Sequence, residues 1–461
     1  MIVWFPLLCL LSLSLPSSLH SSSFLPSPFA RPPPQCHPHE SSALLQFKNS
    51  FSTVIDSSYF YVCDNFYGFA NPNSTTSWVT GRSCCTWSGV TCDEETGHVI
   101  RLDLGCSGLE GIIDSDSALF SLTHLQTLIL FNNYFVGSEI SPKFGAFVSM
   151  THLDLSYTGF SGQVPLKISH LSSLVTLNLS QNYDLSLDSY SLKQIVTNLT
   201  SLRELSLGGV NMSYVSPNSS LNFSASLVSL DISYSGLTGE FPENIFHLPN
   251  VQELRLSHNE NLTGSIPRYN WTGPLRYLSL SSTRFSIDLP YVIRNLKHLD
   301  HLDVNNCNLK GSFPALSSNI TQITSLELSS NHFDGQIPWG FVNMRKLSFL
   351  DLSNNNFKGE LLQICNSTNK TFLCESSKDQ LVGPVPLHLE SLFLHGNFLN
   401  GTIPSWLYSH PSLQNLHLDH NQFTGHIGEF QYNSLVNLGL SSNKLQGLIP
   451  SSIFQQVNLL G

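Results

Sequence analysis

The chain of 461 residues is short of charge. Asp, Glu, Lys and Arg together make up 11% of it, about half the usual share, while hydrophobic residues at 41% are near the ordinary level. Such a composition buries a core and excludes disorder over most of the length. Basic runs are missing as well. Lys and Arg number 21 against 32 acidic residues, a net charge of −11, so nothing in the chain attracts a phosphate backbone and no nucleic acid partner is expected. Catalytic signatures are absent: there is no Walker loop, no G-x-S-x-G elbow and no kinase motif. H-E-x-x-H is also absent and no Cys or His pair recurs at structural zinc spacing. His37 and His39, in the run from Cys36 to Glu40, therefore read as solvated histidines, with no metal, no cofactor and no enzymatic activity expected. Beyond the N-terminus no window approaches the ~20 uninterrupted apolar residues of a membrane span.

What is present begins with an export signal. Residues 2–15 form an apolar stretch of signal-peptide length, followed by small, Pro- and Ser-rich residues, so residues 1–30 are expected to be removed, with cleavage between about Ser23 and Ala30. Cysteines concentrate at Cys36, Cys63, Cys84, Cys85, Cys92 and Cys106, as disulfides in an oxidising compartment require. Twelve Asn-x-Ser/Thr acceptors, at Asn73, Asn178, Asn198, Asn211, Asn218, Asn222, Asn261, Asn270, Asn319, Asn366, Asn369 and Asn400, predict a glycoprotein.

From about Leu102 one pattern returns, L-x-x-L-x-L-x-x-N-x-L-x-G-x-I-P. It is cleanest at Leu326, Asn331, Gly335 and Pro338, and again at Leu438, Asn443, Gly447 and Pro450. With the Asn as a ruler, equivalents fall at 107, 133, 158, 182, 210, 235, 259, 283, 307, 331, 355, 379, 397, 421 and 443, with steps of 24 dominating, which predicts fifteen repeats. The L-x-L core is a short strand whose leucines point inward while the x positions face out. The Asn amide can bond backbone groups of neighbouring turns, Gly permits the next bend, and Ile-Pro gives an extended return. One repeat cannot stand alone. Burial of its side chains contributes about 1.5–3 kcal/mol each, against about 1–2 kcal/mol for each backbone ordered, so stacking must complete the fold. Ser107, Thr158, Val210, Ser235, Thr283 and Cys307 replace the ladder Asn, the Val210 unit is stretched to 28 residues, and the unit around Asp379 is expected to be a degenerate repeat. The fold class is thus an α/β repeat solenoid.

Cys36, His37, Glu40, Leu44, Leu45, Phe47 and Lys48, then Cys84, Cys85, Trp87, Gly89 and Cys92, and the run from Gly97 to Leu104 resemble the plant-type N-terminal cap of leucine-rich-repeat proteins. With the L-x-G-x-I-P repeat, residues 36–461 resemble plant receptor-like proteins of the immune-receptor type. The resemblance implies a curved leucine-rich-repeat superhelix of plant-specific type with a disulfide-bonded cap at 31–98 and repeats over 99–461. It also implies bridges from Cys36 to Cys84 and from Cys85 to Cys92. Cys307 sits at a ladder position and behaves as a small buried residue; of the rest, Cys63 with Cys106 and Cys365 with Cys374 would complete the set, although sequence alone does not fix connectivity. Members of the family continue through more repeats, a cap, a membrane span and a short tail, and none of these follows Ile449 and Pro450 here, so a truncated product is expected.

Recognition is expected at the outward x positions of the strands, which converge on one concave surface. Repeats seven to nine are richest: Arg255 and His258, Arg276 and Tyr277, then Asp300, His301 and Asp303, with Tyr157 and Tyr234 as aromatic anchors elsewhere. The resemblance implies an ectodomain on the extracellular side of the plasma membrane. Such a domain binds a peptide, protein or glycan and works with a partner receptor kinase in defence or development. The alternatives are a secreted inhibitor of a cell-wall-degrading enzyme, resembling polygalacturonase-inhibiting proteins, and a nonfunctional fragment.

Overall fold

The computed structural model describes residues 35–53, 63, 74–217, 221–268, 273–313, 322–337, 344–367, 370–375, 380–384 and 387–460, with the side chains of 363–386 outside the description. The expected signal segment and the acceptors Asn73, Asn218, Asn270, Asn319 and Asn369 lie outside it, as does the side chain of Asn366.

The main element is a 15-stranded sheet. Its first strand, Val90–Cys92, belongs to the cap and runs antiparallel to Val99–Asp103; every later neighbour is parallel and in register. Most repeats contribute three strand residues, x-Leu-x, whose central leucine is buried, as at Leu254, Leu278, Leu302 and Leu326; the last, Leu438, is only partly buried. The outward pair then forms two columns along the inner face. One contains Glu253, Tyr277, His301, Ser325 and Phe349, and the other Arg255, Ser279, Asp303, Glu327 and Asp351.

After each strand the chain bends through a left-handed residue, among them Asn132, Tyr157, Tyr234, His258, Ser330 and His420, with φ between 49° and 56°. Such a bend turns backbone groups away from the ladder, and the following Asn serves them. Asn331 Nδ2 donates to Val304 O at 2.9 Å in the preceding turn and to Leu328 O at 3.0 Å in its own. Its Oδ1 accepts from the amides of Cys307 at 3.0 Å and Leu309 at 2.9 Å. Where Asn is replaced, the backbone takes over part of this role: Phe135 N donates to Thr158 O and Met212 N to Ser235 O, both at 2.7 Å. Cys307 is a buried free thiol that donates to Leu280 O at 3.1 Å, and burial pushes its pKa up to about 11.

The return segments pair as well. Thr238–Glu240, Asn261–Ser265 and Arg284–Ser286 form one small parallel sheet, and Lys310–Ser312, His332–Gly335, Asn356–Glu360 and Phe398–Asn400 form another. Gly335, at φ 80°, supplies the conformation that the bend within this second strip needs. The four extra residues of the stretched unit become one more helical turn: the outer side there is a ten-residue helix, Ser189–Asn198, capped by the Asp188 carboxylate on Ser191 N at 2.8 Å.

The unit around Asp379 is not a repeat. Gln363–Ser367, Lys370–Glu375 and Gln380–Pro384 form a separate antiparallel sheet, and the Phe349–Asp351 strand pairs directly with Ser391–Phe393. The ladder steps over the insertion: Phe357 N donates to Asn397 Oδ1 across 40 residues, where the equivalent bond from Phe333 to Asn355 spans 22. The expected fifteen repeats are therefore fourteen parallel strands behind the cap strand. A pairing of Cys365 with Cys374 falls on side chains outside the description; their backbones lie opposite Phe372 and Gln363.

The cap closes the first repeat. The helix Pro38–Lys48 buries Leu44 and Phe47, and Trp78 stacks on Trp87 with centroids 5.5 Å apart. Cys36–Cys84, Cys85–Cys92 and Cys63–Cys106 are bonded. Among the described residues no helix is long and apolar enough to cross a membrane.

Asn331→Ala is expected to destabilise the array by about 1–3 kcal/mol, because buried backbone donors and acceptors lose their partner. Asn443→Ala should cost less, since its side chain is only partly buried. Thermal or denaturant unfolding of the two variants checks this, and equal losses would contradict the stacking account.

Candidate ligand-binding face

The register brings four of the sequence-selected residues into one cluster. Arg255 lies over the Tyr277 ring, its guanidinium carbon 3.8 Å from the centroid, and donates from Nη1 to the Tyr277 hydroxyl at 3.1 Å. Tyr277 in turn stacks on His301, with centroids 4.0 Å apart and planes within 5°. Beside them Asp303 accepts from Ser279 Oγ at 2.8 Å. This row exists because three consecutive repeats place Arg, Tyr and His at outward positions, and the strand spacing of about 4.8 Å allows neighbouring rings to stack with a slight offset.

The others stand at the first and last x positions of their x-x-L-x-L-x-x segments, flanking the strands. Tyr157, Tyr234 and His258 occupy the left-handed bends after the strands, at the rim of the inner face and not on its x-Leu-x positions. Tyr234 stacks on His258 at 4.0 Å, while Tyr157 meets Phe131 edge-on at 5.8 Å, apart from the main row. Arg276 and Asp300 precede their strands and face each other at 3.7 Å.

The principal residue that sequence reasoning missed is Glu327. Its carboxylate stands 3.5 Å from His301 Nε2 and accepts from Asn305 Nδ2 at 3.2 Å. Burial, with Asp303 and Asp351 in register on either side, raises its pKa to about 7. Burial and the Arg255 charge lower His301 to about 4, and burial raises Tyr277 to about 12. Neutral pH thus finds His301 uncharged and Glu327 poised between its two forms. Such a surface presents a cation, neutral ring faces and a titrating acid side by side, which suits recognition of a polar ligand with an apolar face. The signal for Glu327 was its outward position in the tenth strand beyond the cap, next to His301.

A second row was hidden by the miscounted repeat. Because the insertion loops out, Phe349 comes within 5.3 Å of Phe393, which stacks on His417 at 5.0 Å, and His417 Nδ1 stands 3.6 Å from Asp419. The inner face is therefore aromatic on both sides of the acidic group.

Among the described acceptor sites, Asn198, Asn211, Asn222, Asn261 and Asn400 are exposed and none lies on a strand of the main sheet. Asn178 does, and its amide nitrogen is engaged by Asp154 at 3.2 Å and Ser156 at 3.1 Å.

The family described as Leucine rich repeat N-terminal domain matches residues 37–60 and 64–93, and Leucine Rich Repeat matches residues 226–248, 322–344, 346–367, 388–410 and 434–455. Over 283 residues the chain is 42% identical to Receptor-like protein 9DC1 of Solanum pimpinellifolium, covering 60% of this chain and 32% of that protein. Over 273 residues it is 36% identical to Receptor-like protein 6 of Arabidopsis thaliana, covering 58% of this chain and 27% of that protein. The chain thus spans about a third of the length of these curated relatives. Among solved structures, a TDR receptor superposes with a TM-score of 0.58 at 25% identity, over 74% of this chain and 56% of that one. A PEPR1–AtPEP1 structure does so at 0.58 and 24%, over 91% and 64%, a likeness of fold alone.

Glu327→Gln tests the electrostatics. Glu327 has its folded pKa raised, so the folded state holds its proton more tightly than the unfolded chain and loses stability as pH rises from about 4.5 to about 7. Removing the charge should therefore raise the melting temperature relative to the parent by an amount that grows from pH 5 to pH 7 and then levels off. A difference that is flat across this range would contradict the placement of Glu327 between two carboxylates.

Proposed function

We propose that this chain, which is similar to plant receptor-like proteins with leucine-rich repeats, is an extracellular recognition ectodomain that binds a peptide or protein ligand across its inner sheet. The observation that carries this reading is the continuous row of Arg255, Tyr277, His301 and Glu327. Arg and aromatic residues dominate binding energy where they form the centre of a contact surface. Here they are half-buried and held by one another before any ligand arrives, so little side-chain freedom is lost on binding. Glycans on Asn198, Asn211, Asn222, Asn261 and Asn400 would leave this face open, since those residues lie off the main sheet.

An extracellular location is supported by the signal-like N-terminus, the disulfide-bonded cap and the receptor-like relatives. As the family resemblance implies, the chain acts without catalysis of its own and passes its ligand state to a partner receptor kinase. Its setting is defence or developmental signalling at the plasma membrane. The cap over 31–98 and the repeats from 99 onward form the ligand-presenting unit.

The test is affinity capture of extracellular peptide fractions on the secreted, glycosylated chain, followed by measured binding of what is retained. Tyr277→Ala is expected to weaken that binding by about tenfold or more, equivalent to about 1.4 kcal/mol, with little loss of folding. A retained ligand whose affinity is indifferent to joint replacement of Arg276, Tyr277 and His301 would place recognition elsewhere.

A further inference from the structure

We propose that Glu40, His98 and His124 form a binding site for a zinc-class divalent transition-metal ion, which clasps the N-terminal cap to the first repeats. The three residues come from three places: the cap helix Pro38–Lys48, the residue just before the Val99–Asp103 strand, and the approach to the Thr127–Ile129 strand. Glu40 is fully buried, with no exposed surface. Its Oε2 accepts the Val99 amide at 3.0 Å, which fixes the carboxylate and turns Oε1 towards the two imidazoles. His98 Nδ1 stands 3.2 Å from Oε1 and His124 Nδ1 stands 3.9 Å from it, and all three ligand atoms lie within 4.8 Å of one another.

These spacings suit the ion. Ligand atoms bonded at about 2.0–2.1 Å to a tetrahedral zinc stand roughly 3.3 Å apart, so Glu40 and His98 are already at that separation and His124 has about half an ångström to close. Two imidazoles and one carboxylate match zinc, copper or nickel, whereas calcium and magnesium prefer a shell of oxygens. A buried carboxylate also calls for a positive partner. A divalent metal ion held by the two imidazoles would supply it, and because metal ligands must be deprotonated, such binding weakens at low pH. The bond from Val99 is the outer-shell contact that orients a metal-ligating carboxylate.

One feature of the geometry must change on binding. The rings of His98 and His124 are stacked with centroids 3.7 Å apart, and His37 stacks on the His98 ring at 3.9 Å. Two near-parallel rings cannot both aim an in-plane lone pair at one ion. His124, whose side chain is half exposed, is the ring with room to turn, and its departure from the stack opens the fourth coordination position to water. Among the described residues, the other cluster of potential ligands, Cys36, Cys84 and Cys85, is consumed by disulfides and carries no such site.

The experiment uses the secreted chain with its disulfides intact, stripped with chelator and titrated with zinc sulfate, by calorimetry and by thermal unfolding. The expected result is one zinc bound per chain, a higher melting temperature with zinc but not with calcium, and affinity that weakens as pH falls. His124→Ala, a change at a half-exposed side chain, should lower zinc affinity at least tenfold and abolish the zinc-dependent rise in melting temperature. Glu40→Gln should do the same if it folds. Zinc binding that keeps its full affinity in His124→Ala would assign the metal to other histidines and overturn the proposal, as would the absence of any stoichiometric zinc binding in the parent.

Discussion

Everything in the array hangs on how the chain leaves each inner strand. A left-handed bend follows every x-Leu-x segment, and it strands amides and carbonyls inside a core that holds few other polar groups. The ladder asparagine satisfies both kinds at once, because an amide side chain carries two donors and an acceptor. Asn182, Asn259, Asn331, Asn355 and Asn397 each tie a carbonyl of the preceding turn to one of their own. A repeat is thereby locked in register with its neighbour by side-chain bonds as well as by the sheet.

That locking produces the recognition face. Once strands are in exact register, outward residues at equivalent positions must become lateral neighbours, whatever their chemistry. Rings then stack, as Tyr277 and His301 do. Carboxylates crowd, as Asp303, Glu327 and Asp351 do, and the crowding together with burial is what moves Glu327 towards neutrality. Structural regularity and the unusual electrostatics of the inner face have the same cause.

The repeat was legible because its period is carried by buried leucines and by the asparagine, both of which the physics of stacking demands at fixed spacing. The Asp379 unit misled because a 24-residue ruler counts forward from Asn355 without knowing which residues pair, and apolar residues of an antiparallel hairpin fill the gap plausibly. What corrects it is the direct pairing of Phe349–Asp351 with Ser391–Phe393, a relation between distant segments. Arg255, Tyr277, His301 and Asp303 were visible as outward positions. Glu327 was equally outward, but a glutamate draws notice only when its burial and its flanking carboxylates are known. Tyr157, Tyr234 and His258 stand at the last x of their x-x-L-x-L-x-x segments, where the sequence does not show that the strand has already ended in a left-handed bend. The gathering of Glu40, His98 and His124 had no local signal at all, with 58 residues separating the first two.

The most direct measurement of this account is amide hydrogen exchange on Asn397→Ala. Asn397 is the ladder residue that reaches across the insertion, from the Leu394 carbonyl of its own turn to Leu352 O and Phe357 N on the far side. If the ladder sets the register, protection should fall together at Phe357, at Leu352, whose amide bonds Phe393 O, and at Leu394, whose amide bonds His417 O, while the cap-proximal repeats keep theirs. Unchanged protection at Phe357 and Leu352 in this variant would contradict the claim that the asparagine ladder holds the inner sheet together.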